Sequence, residues 1–182
     1  GSAVMSVPST GGNYAYLSSG TWSLLGVEAS EPIIHDGSYR LDYTNEGGFN
    51  RTIRFLKNIM GLWVYQECKR TWDKEGSTLS FDELEQMGNE SEAFVTLIDP
   101  NDDTFLSPGH MPEKIAAYCK KTGQKVPGDK GAIVRCIMES LALKYRMAME
   151  GLEEAIGRKI PVLHIVGGGC KNTLLCNFTA CA

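Results

Sequence analysis

The chain has 182 residues, 42% hydrophobic and 22% charged, enough to bury a core without metal or disulfide staples. Eighteen Lys and Arg against 22 Asp and Glu leave a net charge of −4, and the basic pairs Lys69-Arg70 and Lys120-Lys121 are isolated, so the basic stripe that nucleic acid requires is missing. Apolar runs such as Ile160 to Val166 fall far short of the ~20 residues that span a bilayer, and no signal segment is visible. These features predict a cytoplasmic globular protein with neither nucleic-acid nor membrane partners.

Two aromatic, β-prone runs, Tyr14 to Ser18 and Trp22 to Val27, flank Ser19-Gly20-Thr21, which reads as a hairpin with a small-residue tip. Arg40 to Thr44 is expected as a weak third strand, Asn45-Glu46-Gly47-Gly48 as a turn and Phe49 to Phe55 as a further strand. Leu62, Val64, Tyr65 and Cys68 recur at helical spacing between Gly61 and Trp72. Ser80 with Glu83 forms a capping box that opens another helix. After the loop Pro100 to Asp103, Met111 to Lys121 is helical, with Pro112 in its first turn and Gly123 as its stop. These middle segments read as insertions between core elements.

Asp129 then opens the longest helix, in which Ile133, Ile137, Leu141, Tyr145, Met149 or Ala148, Leu152 and Ile156 repeat every three to four residues until Gly157. Ile160 to Val166 is expected as a strand buried on both faces. It ends in Gly167-Gly168-Gly169, and a last helix starts at Asn172. The order predicts mixed α/β with a central sheet.

Chemistry points to two glycine-bearing turns. A glycine triplet between strand and helix lets a ligand approach the backbone, and the helix N-terminus beyond it favours anions such as phosphate. The Ser18-Ser19-Gly20-Thr21 tip offers N–H and hydroxyl donors of the same kind. Asn172 stands where a dinucleotide fingerprint needs its third glycine, and no G-x-x-x-x-G-K-[ST] run or protein-kinase signature occurs. The six cysteines, at 68, 119, 136, 170, 176 and 181, form no C-x-x-C pair and no zinc-ligand spacing. They are expected as free thiols, with pairing of Cys119 and Cys136 left open.

Several segments, in order, resemble one family. Ser18 to Leu24, Thr44 to Gly48, Lys57 to Trp63, Arg135-Cys136-Ile137 with Glu139 to Leu143, and His164 to Gly169 with Asn172 are similar to the rhamnulokinase branch of the FGGY carbohydrate kinases. The resemblance implies an actin-like, ribonuclease-H-like ATPase domain, a mixed central sheet flanked by helices. It makes residues 1–182 part of a C-terminal nucleotide-binding domain, with the N-terminal sugar-binding domain and the end of the C-terminal domain absent. ATP and Mg²⁺ are the implied cofactors. Thr21 is implied to bind ATP phosphates, Gly167, Gly168 and Gly169 to line the adenosine and α-phosphate, and Gly20, Gln66 and Asn172 to touch ATP as well. Asn58 is implied to reach the sugar.

The implied reaction transfers the γ-phosphoryl group to the 1-hydroxyl of a ketose, L-rhamnulose or an alternative such as L-fuculose. The family's base is an Asp in a His-Asp-Thr-like motif just before an Ala-Val segment, and Ser2-Ala3-Val4 aligns with that segment. The base is therefore expected upstream of Gly1, with Gly1-Ser2 partly a cloning remnant. Asp36, Asp42, Glu46 and the Asp99 to Asp103 group match no catalytic motif. The chain alone is expected to be inactive and to carry no metal site, and an open sheet edge would favour homo-oligomers. A non-enzymatic actin-like nucleotide-binding module is the second reading.

Overall fold

A computed structural model describes residues 13–182. The Ser2-Ala3-Val4 match lies outside the described residues. The expected hairpin is present: β1 (Ala15–Ser18) and β2 (Trp22–Ala29) pair antiparallel with Tyr16 opposite Gly26. Alternation sends Ala15, Leu17, Leu25 and Val27 into the core from one face.

The next segment departs from the pattern. Asp36–Arg40 forms a short helix, α1, whose capping box links His35 and Ser38. The strand expected at Arg40 to Thr44 instead becomes β3 (Thr44–Gly47), over residues that read as a turn. Local propensity loses there because β3 needs only one partner: it lies at the sheet edge on β4 (Ile53–Met60), and Arg54 bridges to Glu46 across the ladder at 3.0 Å. Phe49 to Arg51 is a 3₁₀ turn rather than strand, since Asn50 and Arg51 take positive φ of 49° and 65°.

The helices lie where apolar spacing and the start and stop signals place them: α2 (Trp63–Lys74), α3 (Phe81–Glu90), α4 (Met111–Lys121), α5 (Lys130–Ile156) and α6 (Thr173–Cys181). Ser80 and Glu83 cap α3 reciprocally, Asp129 accepts from Ala132 N at 2.8 Å, and Gly157 ends α5 with φ 67°. Ile137, Leu141, Tyr145 and Leu152 of α5 are buried in one apolar cluster with Leu25 and Phe55 of the sheet. α3 runs against α5 with little separation, because a Cβ on Gly88 would lie 2.8 Å from Val134 Cγ1.

The segments read as insertions belong to this core. Leu84, Ile98, Phe105, Met111 and Ile115 are buried in the same cluster, so burying the apolar faces of α3 and α4 makes them part of one domain. The strand before the glycines is also corrected. β5 is Leu163–Val166, paired in parallel with β1 alone among the described residues, and its four residues are only half-buried. The sheet order β3-β4-β2-β1-β5 makes it an edge strand, without the cover on both faces that an apolar run suggests.

One buried ion pair ties the helical layer together. Glu139 is 3% exposed; it accepts from Arg135 Nε at 2.6 Å and from Phe94 N at 2.8 Å. Arg135 also donates to Asn89 O at the end of α3 and lies over the Phe178 ring of α6. Glu139→Ala strands the partly buried guanidinium and the Phe94 amide, and is expected to lower stability by about 3 kcal/mol in urea unfolding.

Candidate functional site

The hairpin tip is held from two sides. Ser19 N donates to Val166 O at 2.8 Å and Ser19 O accepts from Gly169 N at 2.9 Å, joining the tip to the glycine turn. Gly20 O accepts from Leu62 N at 2.9 Å, and Thr21 O accepts from Gly61 N and Trp63 N, each at 3.1 Å. The carbonyls are therefore committed, whereas Gly20 N and Thr21 N donate to no backbone acceptor among the described residues. Gly168 N is likewise unpaired there. Such amides form a concave donor surface suited to phosphate oxygens.

Thr21 Oγ1 donates to Gln66 Oε1 at 2.9 Å, joining two residues 45 positions apart that the sequence singles out separately. Gly20, Thr21, Gln66, Gly168, Gly169 and Asn172 border one cavity of about 470 Å³, closed on its other side by α3. Gly167 shapes the turn. Its φ is 92°, and a Cβ there would approach Ser19 O to 2.7 Å, while a Cβ on Gly169 would collide with Ser19 Oγ. Gly168 faces open space.

Two of the sequence-predicted residues sit differently from the rest. The Asn172 side chain is turned inward, capping α6 by accepting from Leu175 N at 2.8 Å, and lies near Met138 Sδ. It supports the turn, and one of the helix-terminal amides expected to be free is already taken. Asn58 is outside the cavity. It is exposed on β4 opposite Leu24, on the face away from the inward-pointing Phe55 and Ile59.

Sequence reasoning missed the remaining wall, formed by Leu62, Tyr65, Phe81, Asp82, Glu85 and Lys171. The acidic first turn of α3 read as ordinary capping chemistry, and nothing local linked it to a glycine turn some eighty residues later. Burial, then the negative charge of Asp82, pushes the Glu85 carboxyl up to about 7. The Cys136 thiol is pushed up to about 12, mainly by burial, and all six cysteines are free, so Cys119 and Cys136 are unpaired. Among the described residues no group of three or more His, Cys, Asp or Glu could hold a metal ion, and no helix is long and apolar enough to cross a membrane.

A mixed five-stranded sheet with a phosphate-sized cradle between a hairpin tip and a glycine turn is the frame of an actin-like ATPase domain. A ligand-bound xylulose kinase from Lactobacillus acidophilus shares it, with a TM-score of 0.63 over 93% of this chain and 33% of that one, at 12% identity. Residues 15–182 match the FGGY family of carbohydrate kinases, C-terminal domain, and the chain belongs to that family. It is 50% identical over 180 residues to a rhamnulokinase from Bacteroides thetaiotaomicron, covering 99% of this chain and 36% of that protein. A rhamnulokinase from Enterococcus faecalis is 45% identical over 181 residues, covering 98% and 36%. The chain thus spans about a third of the length of the curated relatives it matches.

The turn geometry separates adjacent glycines. Gly167→Ala is expected to cost about 1–3 kcal/mol through its positive φ and the contact with Ser19, whereas Gly168→Ala stays within about 0.5 kcal/mol, both read by chemical denaturation. Glu85 sets a pH dependence. Its folded-state pKa lies above the ordinary 4.5, so ionisation opposes the fold and stability falls as pH rises from 4.5 through about 7. Glu85→Gln should therefore raise the melting temperature at pH 8, with a much smaller gain at pH 5.

Proposed function

We propose that this chain is the ATP-binding portion of a two-domain sugar kinase, whose whole polypeptide transfers the γ-phosphoryl group of ATP to the 1-hydroxyl of L-rhamnulose. The observation that carries the nucleotide half is the Thr21–Gln66 hydrogen bond, set beside the unpaired amides of Gly20, Thr21 and Gly168 in one cavity. The identity to rhamnulokinases supports the choice of sugar.

In this reading the backbone amides hold the phosphate chain, and Thr21 Oγ1 joins them by turning its single proton from Gln66 Oε1 to a phosphate oxygen. Phosphoryl transfer through a loose transition state needs positioning and charge stabilisation above all, which a rigid set of donors supplies. Mg²⁺ would neutralise phosphate charge. The residues fit an ion carried by the phosphates and water, since the cavity has donors for phosphate while its carboxylates form no metal cluster. The exposed Asn58 amide, on β4 and outside the phosphate cavity, reaches the sugar in this reading. The sugar-binding domain and the Asp base belong to parts of the kinase outside residues 1–182, so this portion alone does not turn over. The free thiols agree with residence in the cytoplasm.

Calorimetric titration of ATP and ADP should give dissociation constants in the millimolar range or tighter. Thr21→Ala removes a phosphate-facing hydroxyl and Gly168→Val fills the open space, so each should weaken binding about tenfold. Wild-type affinity in both variants would sink the nucleotide assignment. Rates of the whole kinase on L-rhamnulose and L-fuculose test the sugar, and faster turnover of L-fuculose would overturn that half.

A further inference from the structure

No motif accounts for the wall of the cavity built by α3. Phe81, Asp82 and Glu85 are spaced i, i+1 and i+4, so one side of the helix presents an aromatic ring and two carboxylates to the same space as Thr21 and Gly168. Resting on the nucleotide reading above, we infer that Glu85 accepts hydrogen bonds from the ribose hydroxyls of the bound nucleotide and so fixes which way round it lies.

The chemistry of the two walls is opposite. The tip and the glycine turn carry N–H and hydroxyl donors, with the Lys171 ammonium beside them, and the α3 wall carries acceptor-only carboxylates. Phosphate is drawn to the first wall and repelled by the second. The nucleotide's donors must then face α3, and those are the ribose hydroxyls and the base amine. A vicinal diol matches the two oxygens of one carboxylate, and Leu62, Tyr65 and Phe81 supply the apolar surface that a flat base needs.

Glu85 is also uncommitted. Its neighbours on α3 use their polar groups within the chain, Glu83 on Ser80 and Gln86 on Glu90, whereas Glu85 has neither a hydrogen bond nor an ion pair among the described residues. The partly buried carboxylate loses hydration with nothing in return, as its raised pKa records. A donor pair arriving with the ligand would restore that loss, and no partner among the described residues has to be given up for it.

The test compares ADP, 2′-deoxy-ADP, 3′-deoxy-ADP and inosine diphosphate by titration at pH 8.5 on the intact kinase polypeptide carrying this chain, so that no turnover intervenes. The wild type should bind ADP about tenfold more tightly than the deoxy forms, the usual loss for a hydrogen bond to a charged group. In Glu85→Ala that ratio should fall close to one, through weaker ADP binding alone. Because the readout is a ratio within each protein, a smaller folded fraction does not mimic it. A wild type that treats ADP and both deoxy forms alike, or an unchanged ratio in Glu85→Ala, overturns the ribose assignment and leaves the phosphate cradle standing. Loss in Glu85→Ala of ADP preference over inosine diphosphate, with the deoxy ratio intact, moves the carboxylate to the base and also overturns it. Failure of all four to bind the wild type overturns both readings.

Discussion

The carbonyls of Ser19, Gly20 and Thr21 accept hydrogen bonds from amides that lie about forty and one hundred and fifty positions further along the chain, at Gly61 to Trp63 and at Gly169. A four-residue turn on its own would sample many conformations. Here the Ser19 carbonyl is tied to the glycine turn after β5 and the Gly20 and Thr21 carbonyls to the start of α2, and the amide groups between them are left over. The donor surface is thus a by-product of how the tip is anchored. It also explains why Gly167 and Gly169 accept no side chain: their backbones sit directly on Ser19.

That anchoring depends on the layer beneath. β1 must lie beside β5 for Ser19 to reach Val166, and β2 beside β4 for Thr21 to reach the residues just past Met60. The sheet order follows from α5, whose apolar stripe covers Leu25 and Phe55 and whose Tyr145 hydroxyl bonds Ser23 Oγ at 2.7 Å under the tip. α3 reaches the cavity because Gly88 and Gly131 let it pack closely on α5, with the Arg135–Glu139 pair clamping the far end. The nucleotide side and the structural core are therefore one construction, in which a carboxylate such as Glu85 is held in place by contacts on the opposite side of its own helix.

Much of this was legible from residue pattern. Apolar spacing located α2 and α5 because burying a stripe is a local periodic requirement, and caps such as Ser80, Asp129 and Gly157 mark helix ends through bonds to residues only a few positions away. The strands were harder. β3 contains Asn45 and Gly47 and reads as a turn, yet pairing with β4 holds it extended; β5 reads as fully buried, yet among the described residues it has one neighbour. Strand pairing is non-local, so a sequence window cannot reveal how many partners a strand has.

The site divides in the same way. Thr21 and Gly168 could be named from the sequence because glycine beside small hydroxyl residues at an element end signals close backbone approach, and family resemblance added Gln66 and Asn58. Only the tertiary structure decided that Thr21 and Gln66 touch, that Asn172 turns inward as a cap while Asn58 lies outside the cavity, and that Asp82 and Glu85 complete the opposite wall. A residue's chemistry and its helical or strand setting are properties of a few neighbours along the chain. Which residues share a cavity is set by packing between elements distant in sequence, and here that packing put the acceptor wall against the donor wall.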